Sequence, residues 1–199
     1  AKNIPAYQRV GATASDHDTD GFPHYALADG TDDRWQTVGT VDGSAYTEFA
    51  SVSAITKLSD AALATVFENN LAGTQAVALF APVVAGNNYR FRSAGSIAPS
   101  GDATQSGWAA PITSTVGGRA SIPGDLSVLS VDGVEVLTSV ADQGTGTYAN
   151  LAFTVLARAG GASGFFNGRF YGSTGRFGSM SDSERNNLNR WWRKRIGTA

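Results

Sequence analysis

The stretch DLSVLSVDGVEVLTSV, residues 125–140, decides the fold class. Leu126, Val128 and Ser130 alternate up to Asp132-Gly133, and Val134, Val136 and Thr138 alternate after it. A period of two places successive side chains on opposite faces of a strand. Asp-Gly between two such runs predicts a type I′ hairpin, because both central residues of that turn need positive φ.

Working outward, NNYRFRSAG (87–95) alternates in the same way, with Tyr89 and Phe91 on one face and Arg90 and Arg92 on the other. Further strands are predicted in ATVFEN (64–69), QAVALFAPVV (75–84) and the long AYTEFASVSAITKL (45–58). YALADGTDDRWQTV (25–38) reads as an apolar stretch, a turn and a second stretch around Trp35. NLAFTVLARAG (150–160) puts Leu151, Phe153 and Val155 on one face, and FFNGRFYG (165–172) offers a second hairpin at Asn167-Gly168. At least eight strands result. The 24 glycines and the scarcity of good helix formers in the middle of the chain agree with short strands and tight turns. No fixed-period repeat is present, which argues against propellers and solenoids. The expectation is an all-β, antiparallel two-sheet jelly-roll sandwich over residues 24–199, preceded by an N-terminal arm or edge segment at 1–23.

The C-terminus departs from this pattern. Ser181 followed by Glu184 forms a capping box, and Gly197 suits the residue just past a helix end. A short helix within 181–197 is predicted, with Leu188, Trp192 and Ile196 as its apolar stripe, helped by Trp191. Arg190, Arg193 and Lys194 then face water or a partner.

Charge is uneven along the chain. Residues 1–50 carry eight acids and three bases, a net of −5, and residues 151–199 carry eight bases and two acids, a net of +6. There is no cysteine, which excludes disulfides, thiolate nucleophiles and cysteine metal sites. No run of eighteen apolar residues exists, so no membrane-spanning helix is expected. The first ten residues, AKNIPAYQRV, lack the apolar segment of a secretory signal.

Taken in order, YALADGTDDRW, AYTEFASVSAITKLSDAALATVFE, LSVLSVDGVEV and GFFNGRFYGSTGRFGSMSDSERNNLNRWWRKRIG resemble the concanavalin A-like, laminin G-like jelly rolls of bacteriophage and prophage structural proteins. The resemblance covers roughly residues 24–197. It assigns Asp29, Gly30, Asp32 and Asp33 to an opening turn, Asp132 and Gly133 to the hairpin, and Phe166, Asn167, Gly168, Tyr171 and Gly172 to a returning strand. It implies a non-enzymatic virion protein of a capsid, head fibre or tail, with a surface available for host attachment. The implied partners are other virion proteins, further copies of the chain and a host surface glycan, and the implied location is the phage particle. A carbohydrate-binding adhesin is the alternative, and a glycan hydrolase a third reading.

Glycosidases of this fold carry closely spaced glutamates on one strand. Here the four glutamates, Glu48, Glu68, Glu135 and Glu184, are far apart in sequence. Glu48 and Glu68 are left to meet across a sheet, where retaining and inverting chemistry need carboxyls about 5 Å and roughly 6.5–9.5 Å apart. Otherwise both face solvent. His17 and His24 are the only histidines, and no nucleophile elbow, P-loop or zinc-protease motif occurs.

Asp16, Asp18 and Asp20, followed by Gly21, match the first half of a calcium loop, whose oxygen ligands sit at positions one, three and five. The second half fails, because Leu27 stands where a glutamate is needed. The sequence leaves open a calcium site or a solvated acidic turn. For a sugar, GDATQSGWAAP (101–111) reads as a loop in which Trp108 supplies a stacking face and Asp102 and Gln105 supply hydrogen bonds. RWWRKR (190–195) interleaves aromatic and basic residues as nucleic-acid sites do. Trp192 belongs to the apolar stripe and the chain is slightly acidic overall, so nucleic acid is not the expected partner.

Overall fold

A computed structural model of the chain describes residues 24–98 and 102–198, together with the backbone of residues 6–9. In chain order its strands are β1 (Ala6–Arg9), β2 (His24–Asp29), β3 (Trp35–Gln36), β4 (Glu48–Lys57), β5 (Thr65–Glu68), β6 (Ala76–Phe80) and β7 (Asn88–Ala94). They continue as β8 (Ala103–Ser106), β9 (Ile112–Ser121), β10 (Leu126–Val131), β11 (Val134–Ser139), β12 (Thr154–Val155) and β13 (Asn167–Phe177). Helix α1 (Asp182–Ile196) closes the fold.

The strands form two antiparallel sheets. One has the order β1-β2-β13-β4-β9-β10-β11 and the other β3-β12-β5-β6-β7-β8. Phe49 and Ile55 of β4, Leu129 of β10 and Phe170 of β13 meet Phe67, Leu79, Tyr89 and Phe91 of the opposite sheet in one core. This is the all-β sandwich with a C-terminal helix that the sequence predicts.

The β10–β11 hairpin forms where expected. Val131 pairs with Val134, and Asp132 and Gly133 have φ of 51° and 83°. Asn167-Gly168, by contrast, is not a hairpin turn. It begins the eleven-residue strand β13, where Gly168 lies opposite Lys57 and a Cβ would run into the Thr56 carbonyl. That glycine serves close approach between strands, not chain reversal. GDATQSG is likewise not all loop: β8 pairs with β7 as the edge of the six-stranded sheet.

The helix lies on the outer face of the seven-stranded sheet. Successive residues of β4 alternate, so Phe49 and Ile55 face the core while Val52 and Ala54 face outward against Trp192 and Ile196. Ser181 Oγ accepts from the Glu184 N–H at 3.3 Å, Glu184 Oε2 accepts from the Ser181 N–H at 2.8 Å, and Gly197 ends the helix with φ 73°. The buried positions are Arg185, Asn189, Trp192 and Ile196, with Leu188 half-buried beside them. Trp191 does not share that stripe: it is 50% exposed.

The outer face of the six-stranded sheet has a different cover. Ala78 and Phe80 of β6 are buried there with Val83. The Arg92 and Arg158 guanidiniums lie over the Phe80 ring, 5.4 and 5.8 Å from its centroid. Carboxylates anchor both. Arg158 Nε donates to Glu68 Oε2 at 2.7 Å, and Asp102 Oδ2 pairs with Arg90 and Arg92 at 2.9 Å each.

Candidate functional site

The residues singled out in the sequence occupy several places. Asp102 points to the outer face of the six-stranded sheet, where the arginine pair engages one of its oxygens and the other is buried without a partner. Gln105, opposite Tyr89 on the exposed edge strand, alternates to the other face. Trp108 is half-buried against the Tyr89 ring at 5.3 Å, and its carbonyl accepts from the fully buried Lys57 Nζ at 2.6 Å. The three are not gathered on one surface.

Asp16, Asp18 and Asp20 lie outside the described residues. Among the described residues no group of three or more histidine, aspartate or glutamate side chains could hold a metal ion. On the helix, Arg190 and Lys194 are exposed. Arg193 turns back, donating to the Thr198 carbonyl at 2.7 Å and reaching the Asp132 carbonyl at 3.5 Å.

Glu68 does not face solvent, as a spare surface carboxylate would. It is fully buried, and its Oε2 also accepts from the Ala159 N–H at 2.8 Å. Its position opposite Ala78 puts it on the outer face of one sheet, while Glu48 shares the outward face of β4 with Val52 on the other. Stacked sheets are about 10 Å apart and these side chains point away from each other. Such a pair cannot meet the spacing that glycoside hydrolysis requires.

The structure brings together a different set, and it does so through a break in strand pairing. β2 pairs with β13 only as far as Phe170 opposite Ala26, and the β13–β4 register skips a residue at Tyr171. This is a β-bulge, which bends a strand and re-aims its side chains. Phe170 stays on the inner side, edge-on to Trp35 at 5.6 Å. Tyr171 turns outward, edge-on to Tyr25 at 5.6 Å, with its hydroxyl 3.1 Å from Thr56 Oγ1. Gly172 follows with φ 152°, and a Cβ there would collide with the Trp192 ring. The bulge and the glycine together seat the helix against the strand edge.

At this edge a pocket of about 320 Å³ opens. Trp35, Phe170 and Ala26 form its inner wall, Tyr171, Trp191, Trp192 and Arg195 its helix side, and His24 completes it at the start of β2. Trp191 stands edge-on to Trp192 at 4.5 Å, and the Arg195 guanidinium lies 5.0 Å from the Trp191 ring centre. His24 is exposed. An aromatic-walled cleft of a few hundred cubic ångströms with a few polar groups is the ordinary form of a small-ligand site. Trp191 gives the sequence-level signal for it: it lies off the stripe defined by Leu188, Trp192 and Ile196, and a large aromatic off the buried face of a helix needs another reason to be there.

No protein-family model matches this sequence, and no curated protein sequence matches it. Solved structures do. A native heptameric SAP-like pentraxin from Limulus polyphemus is similar with a TM-score of 0.63 at 10% identity, over 82% of this chain and 80% of that one. The CBM40 of the Ruminococcus gnavus IT-sialidase, bound to α2,3-sialyllactose, gives 0.51 at 14% identity over 78% of this chain and 97% of that one. Domains LG4-5 of the mouse laminin α1 chain give 0.55 at 16% identity over 78% of this chain and 44% of that one. Identities this low speak for the fold alone, and the fold is a lectin-like jelly roll of the concanavalin A type.

Proposed function

We propose that this chain is a non-enzymatic glycan-recognition domain, carried on a bacteriophage particle among other virion proteins and further copies of itself. The observation that carries the glycan reading is the open pocket walled by Trp35, Tyr171, Trp191 and Trp192. Sugar rings present apolar C–H faces that stack on exposed aromatics, and Trp191 supplies such a face at the pocket mouth. A neighbour of the same fold is a carbohydrate-binding module bound to a sialylated trisaccharide, which supports the reading. The separation of Glu48 from Glu68, and the locking of Glu68 by Arg158, favour binding over hydrolysis. The phage setting rests on the ordered sequence resemblance, and the exposed Arg190 and Lys194 suit an acidic neighbour in an assembly.

A glycan array with the wild type, Trp191→Ala and Trp108→Ala tests the reading. Binding should survive Trp108→Ala, which should melt lower because Trp108 packs on Tyr89 and the core, and vanish with Trp191→Ala, which should melt near the wild type. Loss with Trp108→Ala alone moves the site to the β8 edge. Absence of any glycan binding, together with incorporation of the chain into phage particles, leaves a purely structural virion role. Repeating the array with a chelator tests calcium at Asp16, Asp18 and Asp20, and unchanged binding removes calcium from recognition.

A further inference from the structure

We infer that the aromatic pocket selects a glycan bearing an acidic group, a carboxylate or a sulfate, over its neutral counterpart. This rests on the glycan reading above and narrows its ligand class. The argument is one of donors and acceptors. A neutral sugar offers hydroxyls that both donate and accept, so a site that fixes one supplies carboxylate or amide oxygens to take the hydroxyl protons. None of the pocket's residues is Asp, Glu, Asn or Gln. The Tyr171 hydroxyl, its one side-chain oxygen, already meets Thr56.

Apart from the His24 imidazole, what the pocket supplies is donors. Arg195 holds its guanidinium over Trp191 and, among the described residues, has no carboxylate partner. An incoming anionic oxygen would meet the Arg195 guanidinium in a charge-assisted hydrogen bond, which is stronger than one between neutral groups. A guanidinium is also the cation suited to bidentate contact with a planar carboxylate or a sulfate. Ring faces hold the sugar, and the cationic edge reads its acid.

The test uses glycan pairs that differ by one acidic group: α2,3-sialyllactose against lactose, oligogalacturonate against oligogalactose, and sulfated against unsulfated galactose. Calorimetry on the full chain should show at least one acidic member binding about tenfold to a hundredfold more tightly than its partner, the range for a hydrogen bond to a charged group. Raising salt should narrow that gap. Arg195→Gln, with a melting temperature near the wild type, should reduce the preference to a few-fold. Equal affinity within every pair, lost in Trp191→Ala, overturns the acidic preference and leaves glycan binding standing. Binding to no member of any pair overturns both. A preference undiminished in Arg195→Gln assigns the selectivity to another group and overturns the role given to Arg195.

Discussion

On the outer face of the seven-stranded sheet Val52 and Ala54 lie beneath Trp192 and Ile196, whereas on the six-stranded sheet Ala78 and Phe80 lie beneath arginine side chains. Both arrangements remove apolar surface from water. The first adds another layer of secondary structure. The second uses Arg92 and Arg158, whose guanidiniums lie over Phe80 while they stay partly hydrated and paired with Asp102 and Glu68. The difference teaches where this fold keeps its spare aromatic surface. A helix brings more side chains than it can bury, and the surplus, Trp191 with Arg195, forms the pocket wall. An arginine cover pairs its polar ends with carboxylates and leaves less over.

The largest break in this comparison should come from Trp192→Ala. Truncating a buried aromatic costs about 3–5 kcal/mol, since a cavity is added to the lost burial. A domain of this size should then melt roughly 6–20 °C lower. Near-wild-type melting would show that the helix rests on the sheet without holding it.

A smaller effect is expected from Glu68→Gln on the opposite face. The variant keeps the side-chain volume and removes the charge that pairs with Arg158, a partner that remains partly exposed. A hydrogen bond to a charged group contributes about 1.5–3 kcal/mol, and solvent screening at Arg158 puts the expected loss at the lower end. Denaturant unfolding measures it. A loss equal to that of Trp192→Ala would mean that the ionic cover is as essential as the helix.

Acid should produce the smallest change, and should act on the helix side. Hydrogen bonding to Arg119 above all, and then to Arg185, holds Glu135 below its ordinary 4.5. Arg185 lowers Asp182, and the Ser181 cap, followed by Arg176, lowers Glu184. A carboxylate whose folded pKa is depressed stabilises the fold above its unfolded value and loses that contribution as pH falls through the folded one. Melting temperature should therefore be flat on this account above about pH 5 and should fall below about pH 4. Glu135→Gln should make the acid limb shallower in melts from pH 3 to pH 7, and an unchanged limb would assign the acid sensitivity elsewhere.

What could be read from the sequence was local. Asp132-Gly133 and the Ser181–Glu184 box each encode their conformation within four residues, and both form as expected. The misleading signals were glycines whose reason lies in another strand. β9 contains Gly117-Gly118, which breaks any apolar alternation, yet it joins β4 to β10 across the middle of the seven-stranded sheet. A Cβ at Gly117 would strike the Ser51 carbonyl and one at Gly118 the Phe91 ring. β4 alternates only weakly because the core covers one face and the helix the other. The two-residue strands β3 and β12 are too short to show a period. The pocket was hidden for the same non-local reason: Trp35 and Trp191 are far apart in sequence, and they line one pocket beside the bulge at Tyr171.

The position of β13 also orders events in time. It lies between β2 and β4, so two strands from the first third of the chain stay unjoined until residues 167–177 have left the ribosome. A nascent chain that has made β4 exposes an apolar ribbon on both flanks, with β9 still more than fifty residues away on one side and β13 on the other. Unpaired edges of that kind invite association with other chains. The sandwich is therefore completed by the last of its own strands, and a ribosome that stalls before Asn167 releases a chain in which the seven-stranded sheet is split in two.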